Sequence, residues 1–98
     1  MPRRSAAKMR TFYHGMSEKD WETTQAQGFL LQPRGPGMSP VTYLAAEREE
    51  AARYGPIVVR VVYDPEAAGF TNNWSEGGWQ HREYAAIPLS AVSRVIED

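Results

Sequence analysis

The ten residues PIVVRVVYDP, positions 56 to 65, constrain this chain more than any others. They are apolar almost throughout and rich in β-branched side chains, which predicts a central β-strand. A strand of that kind needs neighbours, so the rest of the 98 residues must supply a sheet around it. A chain this short has no room for a second independent core, and one compact domain is expected.

The remaining signals are weaker but ordered. RTFYH (10 to 14) has strand composition. Ser17 followed by Asp20 has capping-box spacing, and Gly28 ends the helical run that includes Trp21, Thr24 and Gln25. FLLQ (29 to 32) is a candidate short strand. PRGPGMSP (33 to 40), with three prolines and two glycines, is a loop. VTYLA (41 to 45) reads as another strand, and EREEAARYG (47 to 55) as a two-turn helix with acids near its start and Gly55 as its stop. Residues 66 to 82 are polar and glycine-rich, and are expected to form a long loop. EYAAIP (83 to 88) and VSRVIE (92 to 97) close the chain as two more candidate strands. Five or so short strands with two short helices, and too few crossover helices for a parallel sheet, make an α+β domain.

Composition narrows the setting. At 42% hydrophobic and 11% aromatic residues, the chain is too apolar for disorder. The absence of cysteine excludes disulfides and thiolate metal sites and fits a reducing interior, so a cytoplasmic protein is expected. No apolar run approaches the ~20 residues of a membrane span, and no apolar segment follows the basic start to make a signal peptide. The expectation is a soluble, unprocessed chain without a membrane partner. The net charge of −1 conceals an asymmetry. Arg3, Arg4, Lys8 and Arg10 crowd the first ten residues, and without them 7 bases face 12 acids, a net of −5. Residues 1 to 10 are read as a basic flexible arm and 11 to 98 as the folded domain. A solvated terminus explains the arm better than nucleic-acid contact, because a nucleic-acid module usually carries its basic stripe on the folded part.

Three positions could carry chemistry. His14 ends a strand beside Gly15, whose bare backbone lets a ligand approach, although a histidine there is also ordinary packing. Tyr43 and Tyr54 stand eleven residues apart, one on a strand and one at the end of the following helix. Facing each other, the rings would make a slot for a flat cationic ligand; buried, they would fill the core. Glu83, after the glycine-rich segment, is placed to stabilise a cationic transition state such as the oxocarbenium ion of glycosidic cleavage. An exposed edge glutamate is the plainer reading. Glu76, Glu49 and Glu50 compete for the same role.

Taken in order, FYHG, GF at 28 to 29, TYLAAEREEAARYG and REYAAIP resemble the ADP-ribosyltransferase superfamily, in the branch of diphtheria-type toxins and poly(ADP-ribose) polymerases with its His, Tyr and Glu on three strands. The opening stretch and the closing VSRVIED are also similar to small rifamycin-modifying transferases, which hints at a bacterial or phage source. The resemblance implies split antiparallel β-sheets around an NAD-binding cleft with two short helices. It further implies that His14 bonds the adenosine ribose, that the backbone of Gly15 holds the nicotinamide amide, and that Tyr43 and Tyr54 sandwich the nicotinamide ring. Glu83 would bond the nicotinamide ribose, and Arg34 would reach the pyrophosphate. NAD is then the substrate, no metal is needed, and the acceptor is a protein, a nucleic acid or a small molecule. The expected activity is transfer of single ADP-ribose units with release of nicotinamide. The alternatives are NAD hydrolysis and a binding module on the same fold, holding NAD or ADP-ribose or contacting a protein. RNA 2′-phosphotransfer is disfavoured by the acidic body.

Overall fold

A computed structural model of the chain describes residues 9–32, 36–67, 70, 74–77 and 80–96. The described elements run β1 (Arg10–Met16), α1 (Glu18–Gln27), β2 (Phe29–Leu30), β3 (Thr42–Ala45), α2 (Arg48–Ala51), β4 (Ile57–Tyr63), β5 (Trp74–Gly77), β6 (Gln80–Glu83), β7 (Ile87–Pro88) and β8 (Val92–Arg94). Single 3-10 turns occupy Ala52–Tyr54 and Leu89–Ala91. All pairings are antiparallel, in a six-stranded sheet of order β5-β6-β3-β1-β4-β8 and a two-stranded sheet β2-β7. The α+β architecture with antiparallel sheets and two short helices is therefore present.

The strand that dominated the sequence lies inside the large sheet, between β1 and β8. Its alternate residues Ile57, Val59, Val61 and Tyr63 are buried, whereas Val58 and Val62 are half-buried and Arg60 is exposed. One face thus enters the core and the other is only partly covered. Phe12 and Met16 of β1 and Leu44 of β3 join that core, as do Leu30 and Ile87 from the small sheet. Helix α1 begins where the Ser17 hydroxyl accepts the Asp20 N–H at 3.1 Å, and ends at Gly28, whose φ of 86° lies in the left-handed region. Thr24 is its buried residue and Trp21 packs partly against the core, so this otherwise polar helix is held by its ends more than by an apolar face.

Three expectations change. The span 66 to 82 is not a loop throughout, because β5 and most of β6 fall within it as a hairpin, Trp74↔Glu83 to Gly77↔Gln80. Glu83 closes β6 rather than opening a strand, and of the YAAIP that follows it only Ile87–Pro88 belongs to a strand. Arg10, assigned to the flexible arm, is the first residue of β1 and pairs with Tyr63.

Two glycines fix how α2 sits. A Cβ on Gly15 would stand 1.9 Å from the Ala51 carbonyl oxygen, and one on Gly55 would stand 2.3 Å from the Met16 carbonyl oxygen. Gly15 follows His14 on the strand, so its missing side chain points to the face opposite the one carrying Phe12, His14 and Met16. The turn of α2 therefore lies directly on the backbone of β1, on the side away from the main core. Rotating a side chain cannot relieve these overlaps, because both obstructing atoms are main chain. Gly15→Ala is expected to cost at least about 3 kcal/mol and to lower the melting temperature by more than about 10 °C. Thermal circular dichroism checks this, and an unchanged melt would mean that α2 does not rest there.

Candidate functional site

The site arises where the sheet loses its ladder. β1 pairs with β4 at seven positions, from Arg10↔Tyr63 to Met16↔Ile57, but is in register with β3 only at Tyr13↔Ala45. Beyond that point a side chain does the work of the backbone: His14 Nδ1 lies 2.7 Å from the Tyr43 carbonyl oxygen, and its Nε2 lies 2.6 Å from the Gln32 side-chain amide. The ring is 5% exposed, and its burial lowers its pKa against the opposing effect of these two hydrogen bonds, which keeps it neutral at physiological pH.

A cavity of about 250 Å³ opens here, lined by His14, Gly15, Gln32, Tyr43, Tyr54 and Gln80 among others. Tyr43 is 38% exposed and Tyr54 57% exposed, so neither ring fills the core. Both instead line the cavity, one from β3 and the other from the 3-10 turn after α2. Of the positions singled out in the sequence, His14, Gly15, Tyr43 and Tyr54 are thus brought together. Arg34 lies outside the described residues.

Glu83 is elsewhere. It is fully buried, pairs with Thr42 on β3, and does not line the cavity. Its register neighbour Arg82 is the β6 residue opposite Tyr43, so Glu83 faces the other side of the sheet. There the Tyr63 hydroxyl donates to its Oε1 and the Ala85 N–H donates to its Oε2 at 3.1 Å. Tyr63 Oη also lies 2.9 Å from Nε2 of His81. One phenolic proton cannot serve both neighbours. With it given to Glu83, the His81 Nε2–H donates to the phenol oxygen, and three buried polar groups form one directed chain. Burial raises the pKa of Glu83 and of Tyr63. It lowers His81 to about 4, with the Arg10 charge acting in the same direction.

His81, expected in a polar loop, is therefore a buried residue of β6 at 3% exposure. Glu76, the rival to Glu83, is exposed on β5, ion-paired with Arg10 at 2.5 Å and away from the cavity. Glu49 and Glu50 lie on α2 and do not line the cavity either. Among the described residues lining the cavity none is acidic, and the described residues hold no group of three or more His, Cys, Asp or Glu able to bind a metal ion. None of their helices is long and apolar enough to cross a membrane.

Sequence reasoning missed Gln32 and Gln80 in the cavity and Tyr63 as the partner of Glu83. The glutamines carry no pattern that marks them. Tyr63 could have been found, since it continues the Ile57, Val59, Val61 alternation into the core with a hydroxyl that must find a partner there.

Two outcomes are expected. Tyr63→Phe leaves Glu83 and His81 each short of a buried partner, and should cost about 2 to 4 kcal/mol in urea unfolding, against little change for an exposed tyrosine such as Tyr84. The second concerns pH. His81 binds its proton more weakly folded than unfolded, so from the ordinary histidine value of about 6.5 down to about 4 the unfolded chain holds more protons, and stability falls as pH falls, by up to about 3 kcal/mol. His14 acts in the same sense. Glu83, with a raised folded pKa, acts oppositely, since its contribution is lost as pH rises. Urea midpoints should therefore drop between about pH 7 and pH 4.5, and drop more steeply in Glu83→Gln, where the opposing group is gone.

Compared with protein-family models, with curated proteins and with solved structures, the chain matches none of them.

Proposed function

We propose that the chain binds NAD with the nicotinamide end in this cavity, and that it transfers ADP-ribose from NAD to an acceptor. One observation carries the reading. Two exposed tyrosine rings, from β3 and from the turn after α2, line one cavity together with His14 and the main chain of Gly15. A flat cationic ring suits such a slot, because its faces meet apolar, electron-rich surfaces while its edge amide meets main-chain groups. At about 250 Å³ the cavity is smaller than the ~300–1,000 Å³ that enclose a drug-sized ligand, so it can take one ring and part of its sugar and leave the rest of a dinucleotide outside.

In the transfer, the bond between the ribose C1′ and the pyridinium nitrogen breaks with its electron pair going to nicotinamide. An acceptor lone pair then closes on C1′, and the acceptor loses a proton. With water as acceptor the same step is NAD hydrolysis. The cationic leaving group assists its own departure, and a carboxylate near the ribose would lower the barrier by opposing the developing positive charge. Glu83 is the candidate for that carboxylate. Because it is held by Tyr63 on the other face of the sheet, it would have to release that bond and move to the cavity to meet the ribose.

A second reading, binding of NAD or ADP-ribose without turnover, is favoured by the burial of Glu83 and the lack of an acidic group among the described cavity residues.

The deciding experiment measures NAD binding by calorimetry and nicotinamide release with and without cell extract, for the wild type, Tyr43→Ala and Glu83→Gln. Transfer predicts release that falls at least about 100-fold in Glu83→Gln, with binding retained. Binding without release supports the second reading. In either case Tyr43→Ala should weaken binding by about 5- to 50-fold through loss of the stacked ring, and wild-type protein that does not bind NAD overturns both.

A further inference from the structure

We infer that Gln32 is a positioning residue for His14: its side-chain amide donates to Nε2 and holds the ring as a hydrogen-bond acceptor, in the place that a ribosyl hydroxyl takes when ligand enters. The last clause rests on the NAD reading of the cavity; the first does not.

The argument starts from the ring. A carbonyl oxygen can only accept, so the 2.7 Å contact with Tyr43 requires the proton on Nδ1. A neutral ring then has a lone pair on Nε2, and that atom lies 2.6 Å from Gln32 Oε1, which is also an acceptor. Either the ring takes a second proton or the amide turns over to present its NH₂. The ring is almost fully buried and its burial disfavours the second proton, although Asp20 on α1 acts on it as a negative charge in the opposite sense. The amide, whose two ends have the same shape, turns over at no steric cost.

The backbone of Gln32 is fastened. Its N–H donates to Thr42 Oγ1 at 3.2 Å, and its carbonyl accepts the Val41 N–H at 3.1 Å. Only the side chain is free to swing. Gln32 is half-buried where His14 is buried, and both line the cavity. The amide can therefore leave toward solvent, while the ring, pinned through Nδ1, stays. A ligand hydroxyl, which can donate, replaces the amide on Nε2 without disturbing the tautomer. A ligand group that only accepts has nothing to bond there.

The test uses the full-length ¹⁵N-labelled chain, with the His14 ring signals identified by their loss in His14→Asn. In the wild type near neutral pH, Nδ1 should appear protonated and Nε2 unprotonated. In Gln32→Ala the Nε2 signal should shift as its donor is lost while Nδ1 keeps its proton. In Gln32→Glu the carboxylate should bring a proton to Nε2, so that both nitrogens appear protonated. A wild-type ring with both nitrogens protonated, or with the proton on Nε2 alone, overturns the inference, as does an Nε2 signal that ignores both substitutions. Calorimetry with NAD then tests the exchange. Gln32→Ala removes a competitor and should bind about 2- to 10-fold more tightly, while weaker binding overturns it. If NAD binds neither protein, the NAD reading fails and the exchange with it, while the ring signals still decide the role of Gln32.

Discussion

The contact on which the structure depends is the meeting of two stretches of main chain. Gly15 on β1 faces the Ala51 carbonyl, and Gly55 after the 3-10 turn faces Met16. Packing backbone on backbone brings the short α2 closer to the sheet than any side chain would allow. That closeness sets where Tyr54 stands, since it is the last residue before Gly55. It also keeps the Gly15 main chain in the wall of the cavity. A four-residue helix has little stability of its own, so its position is imposed by this contact and by the burial of Ala51.

The second constraint is an interruption. Seven register positions tie β1 to β4, and the single one with β3 lets a histidine ring stand between strands. A ring inserted in this way must satisfy both nitrogens, and the Tyr43 carbonyl with the Gln32 amide does so. The interruption and the cavity are thus one feature: strands that hydrogen-bonded along their full length would leave no gap for a ligand. It also links His14 and Tyr43 mechanically, because the ring is bonded to the peptide group that carries the tyrosine.

On the other face of β3 and β6, the His81, Tyr63 and Glu83 chain places three polar groups in the interior. Such a chain is tolerable only when each group has its partner, and in return it fixes one register of β6 against β4 across the intervening strands. The same burial that makes Glu83 structural withholds it from the cavity. Under the proposed function, binding and bond cleavage would make separate demands, because the groups proposed for the first line the cavity while the carboxylate proposed for the second is engaged elsewhere.

Much of this was legible in the sequence. The alternation of Ile57, Val59, Val61 and Tyr63, the Ser17 cap and the Gly28 stop act over a few residues, so the strand and helix they specify could be read locally. The grouping of His14, Gly15, Tyr43 and Tyr54 was what the resemblance implied, with the spacing of the two tyrosines suggesting that their rings could meet, and all four line one cavity. The hairpin of WSEG and QHRE was not legible, since its strands are polar and are held by pairing with β3 and with each other, a gain that no local pattern records. Nor was the side on which Glu83 lies. Successive residues of a strand face opposite ways, so its side depends on a cross-strand register, and a slip of one residue would reverse it. The sequence by itself determined the central strand β4 and the caps of α1; only the tertiary structure decided the β5–β6 hairpin and which face each side chain met, because those are set by partners distant in the chain.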